Sequence, residues 1–298
     1  ILSFYHHLEI TFFLSYDISP YEIYILSYFI INGLLLSQTM PKRAHLIMLK
    51  SISGAFQATL SKLAGFLASR RWGLVTTAGI RCYIKYYGID MSIAQEPNPA
   101  CYASFNLFFT RKLKADIRPI NQNATTMISP VDGTLLQLDP VSGENIIIKG
   151  QSYALDELLN CPLLAKAYQN SFIMQAYLSP KDYHRIHMPL SATLKRCVFV
   201  PGQLSSVNPR KKQGLAYITK NRRMIAEFSS GFGDFIIIMI GALNVGDIQT
   251  AWGDSFESSP KLTNTIHTPI TFQKGDYFGQ FLLGSAIVTL TQAAVTKR

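Results

Sequence analysis

Acidic residues are scarce in this 298-residue chain: 18 Asp and Glu stand against 28 Lys and Arg, for a net charge of +10. Charged residues of both signs make up only 15% of the chain, while hydrophobic residues reach 48%. Cysteine is limited to Cys82, Cys101, Cys161 and Cys197, and no two of them fall in a C-x-x-C zinc or redox pattern. Four scattered cysteines argue against a disulfide framework and read as reduced core residues of a cytosolic protein. No Gly-X-Y period and no heptad run is present, which excludes collagen-like and coiled-coil chains. The P-loop signature and the Gly-x-Ser-x-Gly nucleophile elbow are both missing. No Lys or Arg precedes Lys42 and no Met precedes Met40. Without a positively charged leading region, residues 1–39 do not read as a secretory signal.

What is present is a large apolar and aromatic content, with 18 Phe and 15 Tyr, which excludes an extended disordered chain. The basic excess is local: residues 40–118 carry twelve Lys and Arg against Asp90, Glu96 and Asp116. A basic, apolar chain suits an anionic partner, either nucleic acid or an acidic membrane surface. No motif that pairs stacking aromatics with basic residues supports nucleic acid. The apolar stretch Ile23–Ser37 is 15 residues long, short of the roughly 20 that a spanning helix needs. We read residues 1–39 as an apolar extension upstream of a protein that starts at Met40 or Met48, in preference to a transmembrane anchor.

From Ser51 to Arg71 the residues Phe56, Leu60, Leu63 and Leu67 recur at three- and four-residue steps, which predicts an amphipathic helix. A second helix is predicted over about Leu74 to Tyr87. Both are ordinary core-packing helices by pattern, and their basic flanks make a membrane-surface role the rival reading. After about Met127 short β-like runs follow one another, bounded by Gly, Pro, Asn and Asp: Thr134–Leu138, Asn145–Lys149, Ser171–Leu178, Thr193–Val200, Gly214–Thr219, Met224–Phe228, Asp234–Ile240, Ile248–Trp252, Tyr277–Leu283 and Ile287–Leu290. Ser152–Leu159 reads as a short helix capped by Ser152. The predicted fold class is α+β: amphipathic N-terminal helices, then a mostly antiparallel β-rich core. Residues 1–39 form the extension, 40–125 a helical membrane-associating region, and 126–298 the β-rich catalytic domain.

The polar motifs are individually weak. His184 and His187 lie three residues apart beside Asp182, Arg185 and two Tyr, but an H-x-x-H pair is more often an ordinary pair than a site. A zinc site would lack its third ligand, so no metal is expected. Ser129-Pro130-Val131-Asp132-Gly133 alone reads as a turn, and Gly284-Ser285 as a bulge or bend in a strand. Gly241–Gly246 lacks the spacing of a dinucleotide loop.

Their set and order are specific. With FNLFFTRKLKADIRP at 105–119, SPVDG at 129–133, YLSPKDYHRIHMP at 177–189, the Val207-Asn208 step, GALNVGDI at 241–248 and KGDYFGQFLLGS at 274–285, the chain resembles the pyruvoyl-dependent, self-cleaving phosphatidylserine decarboxylase family. The resemblance implies self-cleavage between Gly284 and Ser285. Asp132 would orient and charge His187, and His187 would take the proton from Ser285. Ser285 Oγ would attack the Gly284 carbonyl to give an ester. β-Elimination and hydrolysis would then leave a pyruvoyl group in place of Ser285, with loss of ammonia. That covalent group would form a Schiff base with the substrate amine and act as electron sink for decarboxylation. His184 is the candidate proton donor. Asp182 and Arg185 are candidate substrate-binding residues, Arg185 for a carboxylate or phosphate.

The implied partners are phosphatidylserine, an anionic phospholipid membrane on whose cytoplasmic face the protein sits peripherally, the two associated cleavage fragments, and a second copy in a homo-oligomer. No nucleic acid is implied. Two positions depart from the family pattern: Ala286 follows the serine where threonine is usual, and Val131 replaces an alanine. Ser285–Arg298 is 14 residues, shorter than the usual tail, so a truncated end is expected. The alternatives are a pyruvoyl decarboxylase of a soluble amino acid and a lipid-binding remnant that no longer cuts.

Overall fold

Six consecutive residues of one strand, Phe235 to Ile240, are all fully buried. A strand with one wet face would alternate, so an unbroken apolar run must lie inside a sheet that is covered on both faces. The computed structural model describes residues 68–298 apart from 142, 149–150, 208, 210–217, 243–246, 254, 256–268, 283–284 and 293–298. All of them belong to the unit Gln57–Arg298. Residues 1–39 and the expected stripe at Phe56, Leu60, Leu63 and Leu67 lie outside the described residues.

The main sheet has seven strands in the order β1 (Thr134–Pro140), β4 (Phe172–Leu178), β12 (Ser285–Thr291), β8 (Gly233–Gly241), β7 (Arg223–Ser230), β6 (Ala192–Val200) and β10 (Ile270–Phe272). Every pairing is antiparallel. A second sheet holds β5 (Arg185–His187), β11 (Tyr277–Phe281) and β9 (Ile248–Thr250). β2 (Asn145–Ile148) and β3 (Gln151–Ala154) form a hairpin. The rings of Phe228, Phe235, Phe272, Phe278 and Trp252 pack against one another in the core, at centroid distances between 5.0 and 6.3 Å. This is the α+β architecture with a β-rich core.

The last strand in sequence is not at an edge. β12 lies between β4 and β8, with Ser285 opposite both Leu178 and Gly241. Its side chains from Ala286 to Val288, and Leu290, are fully buried.

The described helices are few. α1 (Leu74–Tyr87) stops at Gly88, whose left-handed φ of 63° lets its N–H turn back to the Ile84 carbonyl. Its buried face, Thr77 and Ile80, meets α2 (Phe105–Phe109), where Ile80, Ile89 and Phe108 make a small separate core. α2 starts at Ser104, whose hydroxyl accepts from the Leu107 N–H. Tyr83 on α1 donates to the Pro180 carbonyl at 3.3 Å, which ties this helical part to the loop before β5.

Three local expectations need adjustment. Ser152 is not a helix cap: it sits in β3, and the helix α3 (Leu155–Leu159) begins after Ala154. Pairing with β2 outweighs the local capping preference. α4 (Pro162–Tyr168), β5 and β10 were not anticipated, the two strands being three residues each and too short to show a period. The run expected over Gly214–Thr219 lies outside the described residues up to position 217, and Ile218 and Thr219 are in a turn.

Candidate active site

Three of the sequence motifs are drawn together by backbone hydrogen bonds. The His187 N–H donates to the Pro130 carbonyl at 2.9 Å, and the Ile128 N–H to that of Pro189 at 3.2 Å, which fixes SPVDG against HRIHMP. Met188 exchanges bonds with the KGD turn: its N–H donates to Asp276 and its carbonyl accepts from Gly275, both at 2.8 Å. SPVDG also abuts β4. A Cβ on Gly133 would stand 2.5 Å from the Tyr177 carbonyl oxygen, so only glycine permits this approach.

The same stretch of β4 carries the predicted cleavage point. Thr134 pairs with Tyr177, and Tyr177 pairs with Ala286. Asp132, two residues before β1, and Ser285, the first of β12, thus approach β4 from its two sides, with β1 and β12 about 10 Å apart. Gly284 lies outside the described residues. Before it, the Leu282 N–H donates to the Asp247 carbonyl at 3.0 Å. After it, the Gly241 partner of Ser285 is held by the buried Asn221, whose Nδ2 donates to the Gly241 carbonyl at 2.8 Å.

His187 has partners at both ring nitrogens. Nδ1 stands 2.8 Å from the Gly275 carbonyl oxygen, and Nε2 stands 3.0 Å from the Tyr183 hydroxyl. A carbonyl only accepts, so Nδ1 carries the proton, and in the neutral ring Nε2 is the bare nitrogen. Burial pushes the Tyr183 phenol up to about 12, so it keeps its proton and donates to Nε2. Asp132 is held elsewhere: Arg118 grips it with Nε at 3.0 Å from both carboxylate oxygens and Nη2 at 2.6 Å from Oδ2. Gly275 rather than Asp132 therefore orients the His187 ring. The Arg118 and Asp132 side chains are 52% and 25% exposed. A pair so exposed stabilises by about 1 kcal/mol or less, so Asp132 leaves it at small cost.

His184 sits in different surroundings. It is fully buried, with its ring 4.0 Å from that of Phe109 and Nδ1 2.8 Å from the Asp182 carbonyl. Nε2 is buried with no hydrogen-bond partner. Burial pushes the ring down to about 3, aided by the charge of Arg111. At neutral pH His184 is therefore uncharged, with a bare Nε2, and it must take up a proton before it can donate one.

The other two candidates are engaged in building the loop. Asp182 Oδ2 accepts from both the N–H and the hydroxyl of Ser179 at 2.7 Å. Arg185 Nε donates to the Thr110 carbonyl at 3.0 Å, and its guanidinium lies 4.6 Å from the Tyr277 ring centroid. Among the described residues no three His, Cys, Asp or Glu converge as a metal site would require. Sequence reasoning assigned no role to Tyr183, Gly275 or Arg118. All three stand inside the quoted motifs, but the contact of Gly275 is made by its carbonyl, which leaves no side-chain signature.

The comparisons agree with this set of motifs. The family model described as phosphatidylserine decarboxylase matches residues 105–298. A protein of Coxiella burnetii named phosphatidylserine decarboxylase proenzyme is 39% identical over 240 residues, covering 78% of this chain and 85% of that protein. Relatives with the same name from Shewanella putrefaciens and Haemophilus ducreyi are 43% and 36% identical, covering 78% and 81% of this chain and 83% and 84% of their own lengths.

The surroundings of His184 make acid destabilising. Unfolded, the ring gains a proton near 6.5, and folded only near 3. The stability it contributes is complete above the first value and drains away as pH falls toward the second, by about 1.4 kcal/mol per pH unit. Histidine-ring NMR is expected to show His184 as a neutral Nδ1–H tautomer down to at least pH 5. A His184 ring that titrates near its unfolded value would contradict the burial argument.

Proposed function

The chain belongs to the phosphatidylserine decarboxylase family, and from that premise we propose that it cuts itself between Gly284 and Ser285 and then converts phosphatidylserine to phosphatidylethanolamine, a step of phospholipid biosynthesis. The position of Ser285 as the first residue of the buried strand β12 carries the proposal. A cut there ends one chain and begins another without opening the sheet, because Ala286 to Thr291 stay paired to β4 and β8 on both sides. The two fragments therefore remain one folded body.

The position also suits a pyruvoyl group. Forming it from Ser285 removes the backbone nitrogen of that residue, and the first place in a strand is where a missing N–H is best tolerated. The group supplies the electron sink that the carbanion left by departing carbon dioxide requires.

The remaining chemistry falls to side chains already described. For the cut, His187 Nε2 takes the proton of Ser285 Oγ as that oxygen attacks the Gly284 carbonyl. The Tyr183 hydroxyl occupies Nε2 beforehand and has to move aside. Asp132, released from Arg118, supplies the negative charge that stabilises the protonated His187. For decarboxylation, the bare, uncharged Nε2 of His184 accepts a hydrogen bond from the substrate ammonium, and the proton gained by the carbon that has lost carbon dioxide is relayed through that contact.

A lipid substrate calls for a membrane-facing surface, and α1 offers one. Leu74 is 88% exposed and Tyr86 82%, with Trp72 and Val75 also exposed. The basic residues Arg71, Arg81 and Lys85 are exposed on or beside the same helix. Among the described residues no helix is long and apolar enough to cross a membrane. Peripheral binding at the anionic cytoplasmic face is the mode that these features support.

Replacing Ser285 with Ala is expected to abolish both the cut and carbon dioxide release from phosphatidylserine, since it removes the nucleophile and the precursor of the electron sink. Carbon dioxide release by Ser285→Ala would refute the pyruvoyl reading, and turnover of free serine in place of the lipid would refute the substrate. For the membrane, flotation with vesicles containing phosphatidylserine is expected to weaken with salt but not vanish. The double replacement Leu74→Ser and Val75→Ser should make binding fully salt-reversible. Full release of the unaltered protein by salt alone would leave α1 with no role in the lipid.

A further inference from the structure

Arg111 has no part in the chemistry above, yet it is only 3% exposed. It follows α2 closely, and its Nη2 donates to the Lys181 carbonyl at 3.0 Å. Nε and Nη1 are buried and meet no acceptor among the described residues. The Phe108 ring lies 5.4 Å from the guanidinium and offers no hydrogen-bond acceptor of the kind these N–H groups need. The acids that act on Arg111 through space are Asp182 and Asp132, and both are already engaged, the first by Ser179 and the second by Arg118. A guanidinium keeps its charge in proteins, so burial without a bonded anion is costly and calls for a partner.

His184 presents the complementary need beside it. The two residues hang from adjacent carbonyls of one turn, Arg111 from Lys181 and His184 from Asp182. The charge of Arg111 acts on the imidazole. Each side chain spends one nitrogen on the turn and keeps others buried and unbonded: two donors on Arg111, one acceptor on His184. What satisfies both at once is a molecule that carries an oxyanion near an ammonium group. The phosphoserine head group has that form.

We propose that Arg111 is a substrate-binding residue that holds an oxyanion of the lipid head group through one of its unbonded N–H groups, at Nη1 or Nε, and so sets the substrate amine at His184 Nε2. This rests on the decarboxylase reading above. Two groups of the substrate have the required oxygens, the carboxylate and the phosphodiester. A carboxylate clamped by a guanidinium is stabilised as the anion, which opposes loss of carbon dioxide, so the phosphodiester suits the reaction better. The product keeps the phosphodiester and lacks the carboxylate, which separates the two.

The test is Arg111→Gln, beside the unaltered protein, in micelles of phosphatidylserine. Self-cleavage reports that the variant is folded. The expected result is a normal cut, a KM raised about tenfold or more, as loss of charged hydrogen bonds predicts, and a smaller change in kcat. Inhibition by phosphatidylethanolamine should weaken in step if Arg111 holds the phosphodiester, and stay unchanged if it holds the carboxylate. Unchanged KM overturns the proposal. If Arg111→Gln is not cut, Arg111→Lys, which keeps the charge but not the paired donors, is measured in the same way. Failure of both variants to cut assigns Arg111 to the fold and also overturns the proposal. An unaltered protein that is inactive on the lipid refutes the decarboxylase reading itself, whatever the variants do.

Discussion

A strand in the middle of a sheet cannot be removed without exposing two rows of backbone donors and acceptors, and β12 is such a strand. Its seven residues pair with β4 on one side and β8 on the other, and its buried side chains join the main core. That constraint explains why a bond at the start of β12 is a tolerable place for a protein to break its own chain. The ladder would hold the second fragment in register, so the group proposed at its first residue would stay where the intact chain had put it. Asp132, Tyr177, Leu178 and Gly241 are all positioned relative to Ser285 through this one set of pairings.

Two histidines three residues apart are given different neighbours by the chain. His187 is in β5 and only partly buried, with a carbonyl on one nitrogen and a phenol on the other. His184 is in the turn before it and fully buried, and its second nitrogen bonds to nothing among the described residues. The unequal burial of the two rings follows from what covers each: Phe109 over His184, Tyr183 and Tyr277 beside His187.

Much of this was legible in the sequence, for identifiable reasons. α1 was expected over about Leu74 to Tyr87, because a helical period and the following Gly88 are local signals. The long strands were expected within one or two residues, because apolar runs bounded by Gly, Pro, Asn and Asp are local signals. Ser152 misled because capping preference is local, whereas β3 is set by its pairing with β2. At the candidate site, the motif residues were singled out by their order along the chain. Their contacts were not. The Gly275 carbonyl reaches His187 from 88 residues away, and Arg118 competes for Asp132 from 14 residues away. Neither contact has a pattern in the sequence. Arg111 was quoted within a motif without a role, because burial that leaves two donors unbonded shows only in three dimensions.

The central claim is that Ser285 becomes the reactive group at the head of β12, and an intact-mass spectrum of the purified protein under denaturing conditions tests it directly. The account predicts two polypeptides, one ending at Gly284 and the other beginning at position 285 and lighter by one ammonia than a peptide that starts with serine. A single uncut chain, or a second fragment that retains a serine at its head, would contradict it.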